Sequence, residues 1–184
     1  MPSRIWTISN AITLLRCILV IPIALLLLST TSPGWAVILL MIIAVATDWF
    51  DGYFARKLNQ VTELGKILDP VADKIAVGII AMILTVQGRF SSWLFTAVIA
   101  RDVLILAGGF IMTKKYHLVL QSNWMGKWTV TSIAVCLLLA VINDRSLDSI
   151  TIILNFITGL LLAGSFISYF QRFIRTVHSA SQQN

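Results

Sequence analysis

Charge is scarce in this chain. Asp, Glu, Lys and Arg make up only 12% of it, against 58% hydrophobic residues. A soluble domain of this size has no use for so much apolar surface, so the shortage excludes an ordinary water-soluble fold and puts the chain in a bilayer. Cysteine is nearly missing as well. Cys17 and Cys136 both fall in apolar runs without C-x-x-C or Cys/His spacing, and read as small packing residues rather than as a disulfide framework or a metal site. The two histidines, His117 and His178, sit in a polar link and in the tail, and read as plain surface residues. Internal repeats and low-complexity tracts are lacking, which leaves one membrane-embedded domain over residues 1–184. The net charge of +6 would suit a nucleic-acid partner, but the basic residues are scattered at the ends of apolar runs, where anionic headgroups lie. Nucleic acid is therefore not expected as a partner.

What the chain does have is apolar runs long enough to cross a membrane: Ile8 to Leu28, Trp35 to Phe54, Asp69 to Val86, Trp93 to Thr113, Trp124 to Ile142 and Ile150 to Phe170. They predict an all-α integral membrane protein of six transmembrane helices. Residues 1–7, with Arg4 and Trp6, read as an interfacial anchor, and residues 176–184 as a loose polar tail. Six crossings put Arg4, Arg56, Lys57, Lys66, Lys114, Lys115, Arg172 and Arg175 on one side, against Arg89 and Arg145 on the other, so both termini are expected in the cytoplasm. Arg16 inside the first run argues that this run stays as a helix rather than being removed as a leader. A bacterial inner membrane is the expected home.

Four of the eight acidic residues, Asp48, Asp51, Asp69 and Asp73, lie in or at the ends of the second and third runs. An unpaired carboxylate there costs several kcal/mol, so these positions need a reason. Asp48 and Asp51 are three apart and Asp69 and Asp73 four apart, so each pair shares a helical face, and the short link between the runs predicts neighbouring antiparallel helices. Four converging carboxylates call for hard divalent cations, Mg²⁺ or Mn²⁺. Two such ions can clamp a pyrophosphate and acidify an attacking hydroxyl. Gly52 and Ala55 leave space beside the cluster, and Arg56 offers a cation to phosphate.

The stretch Asp48-x-x-Asp51-Gly52-x-x-Ala55-Arg56, then Gly65-x-x-x-Asp69-x-x-x-Asp73, resembles the signature of the CDP-alcohol phosphotransferase family at each of its fixed positions. The resemblance implies a reaction in which an alcohol attacks the β-phosphorus of a CDP-linked lipid and CMP leaves. It also implies metal-ligand roles for Asp48, Asp51, Asp69 and Asp73, with Asp73 as the base for the acceptor. Gly52, Ala55, Arg56 and Gly65, beside Asp48 and Asp69, would then line the CDP-lipid site. A possible homodimer follows from the same resemblance.

The acceptor is read from residues outside that signature. Asn10, Thr13 and Arg16 recur at three-residue steps near one face of the first helix, and resemble the start of the phosphatidylglycerophosphate-forming branch of the family, as does Gly126-Lys127. This assigns Asn10 and Thr13 to the CDP-lipid site. The plainer reading of the first set is an interfacial polar start to a helix. Arg101 lies ten residues into the fourth run; it either binds the acceptor's phosphate or pairs with an intramembrane aspartate. Together Arg16, Arg101 and Lys127 favour a phosphorylated acceptor, glycerol 3-phosphate, with CDP-diacylglycerol as donor and membrane phospholipids as surroundings. The apolar continuation Arg101-Asp102-Val103-Leu104-Ile105 instead resembles the cardiolipin-forming branch, which takes phosphatidylglycerol. A cation transporter would also use intramembrane aspartates, but would not explain Arg56, Gly65 or their spacing.

Overall fold

The computed structural model describes residues 8–29, 34–57, 63–116 and 124–181, and among them the chain is helical with short turns. Six α-helices follow in order: α1 (Ile8–Leu28), α2 (Gly34–Lys57), α3 (Glu63–Val86), α4 (Ser92–Tyr116), α5 (Trp124–Ile142) and α6 (Asp148–Ser181). They form two compact units, Met1–Gln87 and Gly88–Asn184. The anchor expected at residues 1–7 lies outside the described residues.

In the first unit α1 packs against both α2 and α3. Val20, Ile23 and Leu27 recur at three- and four-residue steps on α1 and are buried, as are Ala76, Ile80 and Leu84 on α3 and Val37 on α2. Gln87, just past α3, donates from Nε2 to the Leu27 carbonyl at 2.5 Å, which ties the C-terminal ends of α1 and α3 together. These two helices therefore run in the same direction. Pro22 inside α1 lacks an N–H, a vacancy that membrane helices tolerate.

In the second unit α6 packs against α5 and α4. Thr158, Leu162 and Ser165 are buried on one α6 face, on which Asn155 and Tyr169 continue the alternating three- and four-residue steps. Against α5, the Thr129 hydroxyl donates to the Leu161 carbonyl at 3.1 Å, and the Ser132 and Thr158 hydroxyls lie 2.5 Å apart. Residue numbers rise on one helix as they fall on the other, so α5 and α6 are antiparallel. Against α4, Arg101 reaches Ser165 and the Tyr169 hydroxyl donates to the Ile105 carbonyl at 3.0 Å, so α4 and α6 are parallel. Glycine lets these helices close up: a Cβ on Gly159 would stand 2.7 Å from the Trp93 ring, and one on Gly108 2.8 Å from the Tyr169 hydroxyl.

The opposite faces are apolar too. Ile152, Phe156, Leu160 and Ile167 of α6 are each more than half exposed, as are Ile21 and Leu25 of α1. A helix apolar all round belongs in lipid, with its backbone groups satisfied internally. Three stretches are long and apolar enough to cross a membrane, Ser92–Phe110, Trp124–Ile142 and Arg145–Thr176, and the chain is a membrane protein. Shorter apolar stretches occupy α1, α2 and α3 at Ile18–Leu28, Gly34–Ala44 and Lys74–Val86.

Two boundaries differ from those expected by more than three residues. The third helix begins at Glu63, ahead of the apolar run that starts at Asp69. The sixth continues to Ser181, so most of the expected loose tail is helical. Phe170, Phe173, Ile174 and Val177 follow one another at helical spacing with Arg172 and Arg175 between them, an amphipathic pattern that extends the helix past its apolar run. The Thr176 hydroxyl bonds back to the Arg172 carbonyl at 2.9 Å.

Candidate functional site

The signature residues stand on two helices that leave and enter the same end of the first unit. Asp48, Asp51, Gly52, Ala55 and Arg56 occupy the C-terminal part of α2, and Gly65, Asp69 and Asp73 the N-terminal part of α3. Their side chains lie outside the described residues, so it is the backbone that locates them. Counting at ~1.5 Å per residue from Lys57 and from Glu63, Asp51 and Asp69 both come about 9 Å along, and Asp48 and Asp73 about 14 Å. Each pair thus lies within about three turns of its own helix's end, Asp48 and Asp51 at the close of α2 and Asp69 and Asp73 at the start of α3. Four carboxylates supply the all-oxygen donor set that hard divalent cations take, so these positions fit the ions expected from the sequence.

α1 brings a third set to that end. It runs parallel to α3, and Asn10, Thr13 and Arg16 fall in its first nine residues, away from the Leu27–Gln87 tie. Arg16 is about 12 Å from the start of α1 by the same count. Their side chains too lie outside the described residues.

The remaining two predicted residues belong to the second unit. Arg101, 12% exposed, donates from Nη1 to Asp102 Oδ1 at 2.7 Å and from Nη2 to Ser165 Oγ at 3.0 Å. Its Nε is buried and without an acceptor among the described residues. Pairing with an intramembrane aspartate, one of the two sequence readings, is thus present, and it leaves the buried Nε–H unmet. Lys127 is exposed, and its Nζ stands 5.0 Å from the centre of the Trp124 ring, a cation–π contact at the first turn of α5.

Register relates these two cations. A Cβ on Gly164 of α6 would meet Met125 of α5 at 3.3 Å, and Thr129 bonds Leu161, so Lys127 stands level with the α6 segment between them. Arg101 stands level with Ser165. Both cations therefore fall within about one turn of each other along α6, beside the N-terminus of α5, the positive end of that helix's dipole. Ser165 was not read from the sequence, although its place in the α6 repeat was a signal that could have found it.

The likeness of the chain to known proteins bears on its family. A family model described as CDP-alcohol phosphatidyltransferase matches residues 6–164. The chain is 43% identical over 108 residues to a protein of Escherichia coli (strain K12), covering 55% of this chain and 58% of that one. It is 39% identical over 89 residues to a protein of Mycoplasma genitalium, covering 48% and 37%. Each relative is named CDP-diacylglycerol--glycerol-3-phosphate 3-phosphatidyltransferase. The chain spans about half the length of the curated relatives it matches.

Proposed function

The chain belongs to the CDP-alcohol phosphatidyltransferase family, and on that premise we propose that it transfers the phosphatidyl group of CDP-diacylglycerol to glycerol 3-phosphate, forming phosphatidylglycerophosphate and releasing CMP. The observation that carries this reading is the family match over residues 6–164, in a chain whose relatives bear that name and which sets Asp48 and Asp51 near the end of α2 and Asp69 and Asp73 near the start of α3.

In this mechanism Asp48, Asp51, Asp69 and Asp73 hold two divalent ions, Mg²⁺ or Mn²⁺. Two ions held there would supply neutralisation of the charge developing at the phosphorus and a lowered pKa for the acceptor hydroxyl. Asn10, Thr13, Gly52, Ala55, Arg56 and Gly65 receive the CDP moiety, with Arg56 countering phosphate charge. The acceptor oxygen forms a bond to the β-phosphorus as the bond to CMP breaks, and Asp73 takes the hydroxyl proton. A carboxylate with an ordinary pKa near 4 is a weak base, so the acidified hydroxyl shares the work.

Arg101 and Lys127 of the second unit bind the acceptor's phosphate. The common level of Arg101 and Lys127 beside the α5 N-terminus supports that role. Six membrane crossings with both termini in the cytoplasm complete the reading, and put the aspartates at the cytoplasmic side of a bacterial inner membrane. The parallel course of α4 and α6 supports it, because Arg89 and Arg145 then precede their helices at one end and Lys114, Arg172 and Arg175 lie toward the other. The chain works alone or as a homodimer within its phospholipids.

One observation favours a second acceptor. Val103 and Leu104, after Arg101-Asp102, are more than half exposed on α4, an apolar continuation that suits phosphatidylglycerol. The test is CMP release by purified protein in mixed micelles with CDP-diacylglycerol and Mg²⁺. Stimulation by glycerol 3-phosphate is expected; stimulation by phosphatidylglycerol alone would replace the reading with cardiolipin synthesis.

A further inference from the structure

Two helices hold the Arg101 guanidinium. Nη1 donates to Asp102, the next residue on its own helix, and Nη2 to Ser165 of α6, which is 1% exposed. Asp102 moves with α4 and shares the local backbone of Arg101, so it neutralises charge without fixing how the planar group is turned about its stem. Ser165 supplies a reference on another element. That element is itself pinned to α4 one turn further on, where Tyr169 bonds the Ile105 carbonyl at 3.0 Å. The guanidinium is thus set by α6, and its Nε–H is buried with no acceptor among the described residues. A buried donor left unmet is costly, and an arginine held by two of its nitrogens offers the remaining edge as a rigid fork suited to an oxyanion.

We propose that Ser165 is a positioning residue for acceptor recognition: its hydroxyl oxygen turns Arg101 so that the Nε edge is left for a phosphate oxygen of the acceptor. The inference rests on the phosphatidyl-transfer reading above and goes beyond it, because Ser165 acts through Arg101 and touches neither donor lipid nor reacting atoms. Lys127, level with this group on α5, adds a second cation, which makes a phosphate more apt here than a neutral alcohol.

Steady-state kinetics with CDP-diacylglycerol and glycerol 3-phosphate varied separately test it. Ser165→Ala removes the oxygen, and is expected to raise KM for glycerol 3-phosphate by about three- to tenfold. Its kcat should stay within about twofold, and KM for CDP-diacylglycerol should not move. Ser165→Thr keeps an oxygen at the same place and is expected to lie nearer the wild type than Ser165→Ala does. An unchanged KM for glycerol 3-phosphate in Ser165→Ala would overturn the inference. A parallel rise in both KM values, with a lowered thermal midpoint, would overturn it too, because that pattern marks general loss of packing. A wild-type protein that ignores glycerol 3-phosphate would instead remove the reading on which the inference stands.

Discussion

Asp73 stands one turn beyond Asp69 on α3, and a change to Asn there keeps the shape of the side chain while removing its charge and basicity. The proposed mechanism asks Asp73 to receive a proton and to help hold metal. Asp73→Asn is therefore expected to lower kcat by about a hundredfold or more, the usual size of a general-base contribution. Retained binding of a CDP-diacylglycerol analogue would show that the loss is chemical, and a kcat within tenfold of wild type would remove Asp73 from the role of base. Asp144 makes a different prediction, at the turn between α5 and α6. Its carboxylate accepts from the Ser146 N–H at 3.0 Å at the start of the one-turn 3₁₀ helix Arg145–Leu147. That backbone hydrogen bond, with the Ser146 side chain, holds its pKa below the ordinary value. A lowered folded-state pKa means that the support is present above the unfolded value, near 3.9, and is lost as pH falls through the folded one. Amide exchange at Ser146 should consequently quicken at pH values below about 4 in the wild type and show no such step in Asp144→Asn.

At the scale of the element, α1 and α5 end where the sequence says they should, because breakers and tryptophans mark their apolar runs. The boundaries missed were polar ones. Glu63-Leu-Gly-Lys66 reads as a link by composition but forms the first turn of α3, and the Arg-rich end of α6 keeps its helix through amphipathic spacing rather than hydrophobicity. The aspartate signature was legible because charge in an apolar run stands out. Ser165 was not, since a serine inside a membrane helix is common and its partner is 64 residues away. The Ser132–Thr158 and Tyr169–Ile105 contacts were hidden for the same reason. They are modest individually, since interhelical hydrogen bonds in membranes average ~0.6 kcal/mol. Close packing matters more: Gly159→Ala would set a methyl 2.7 Å from the Trp93 ring, and should destabilise the second unit by about 1–3 kcal/mol. Thermal unfolding in detergent measures it, and an unchanged midpoint would mean that Trp93 swings away freely.

At the scale of the whole molecule, family membership and membrane-crossing helices stand as found, and the side on which each basic residue lies is part of the proposal. The proposed topology predicts that single cysteines at positions 145 and 175 react from opposite sides. In a background with Cys17 and Cys136 replaced by Ala, an impermeant maleimide applied to intact cells should label Arg145→Cys and spare Arg175→Cys. Labelling of both or the reverse pattern would reject six crossings with cytoplasmic termini. The central claim is group transfer, and it is tested most directly by following the phosphorus itself. Purified protein with CDP-diacylglycerol, Mg²⁺ and glycerol 3-phosphate carrying a phosphorus label is predicted to move the label into the lipid phase, in equal amount to the CMP released. CMP release without labelled lipid, or labelled lipid that forms without CMP, would contradict it.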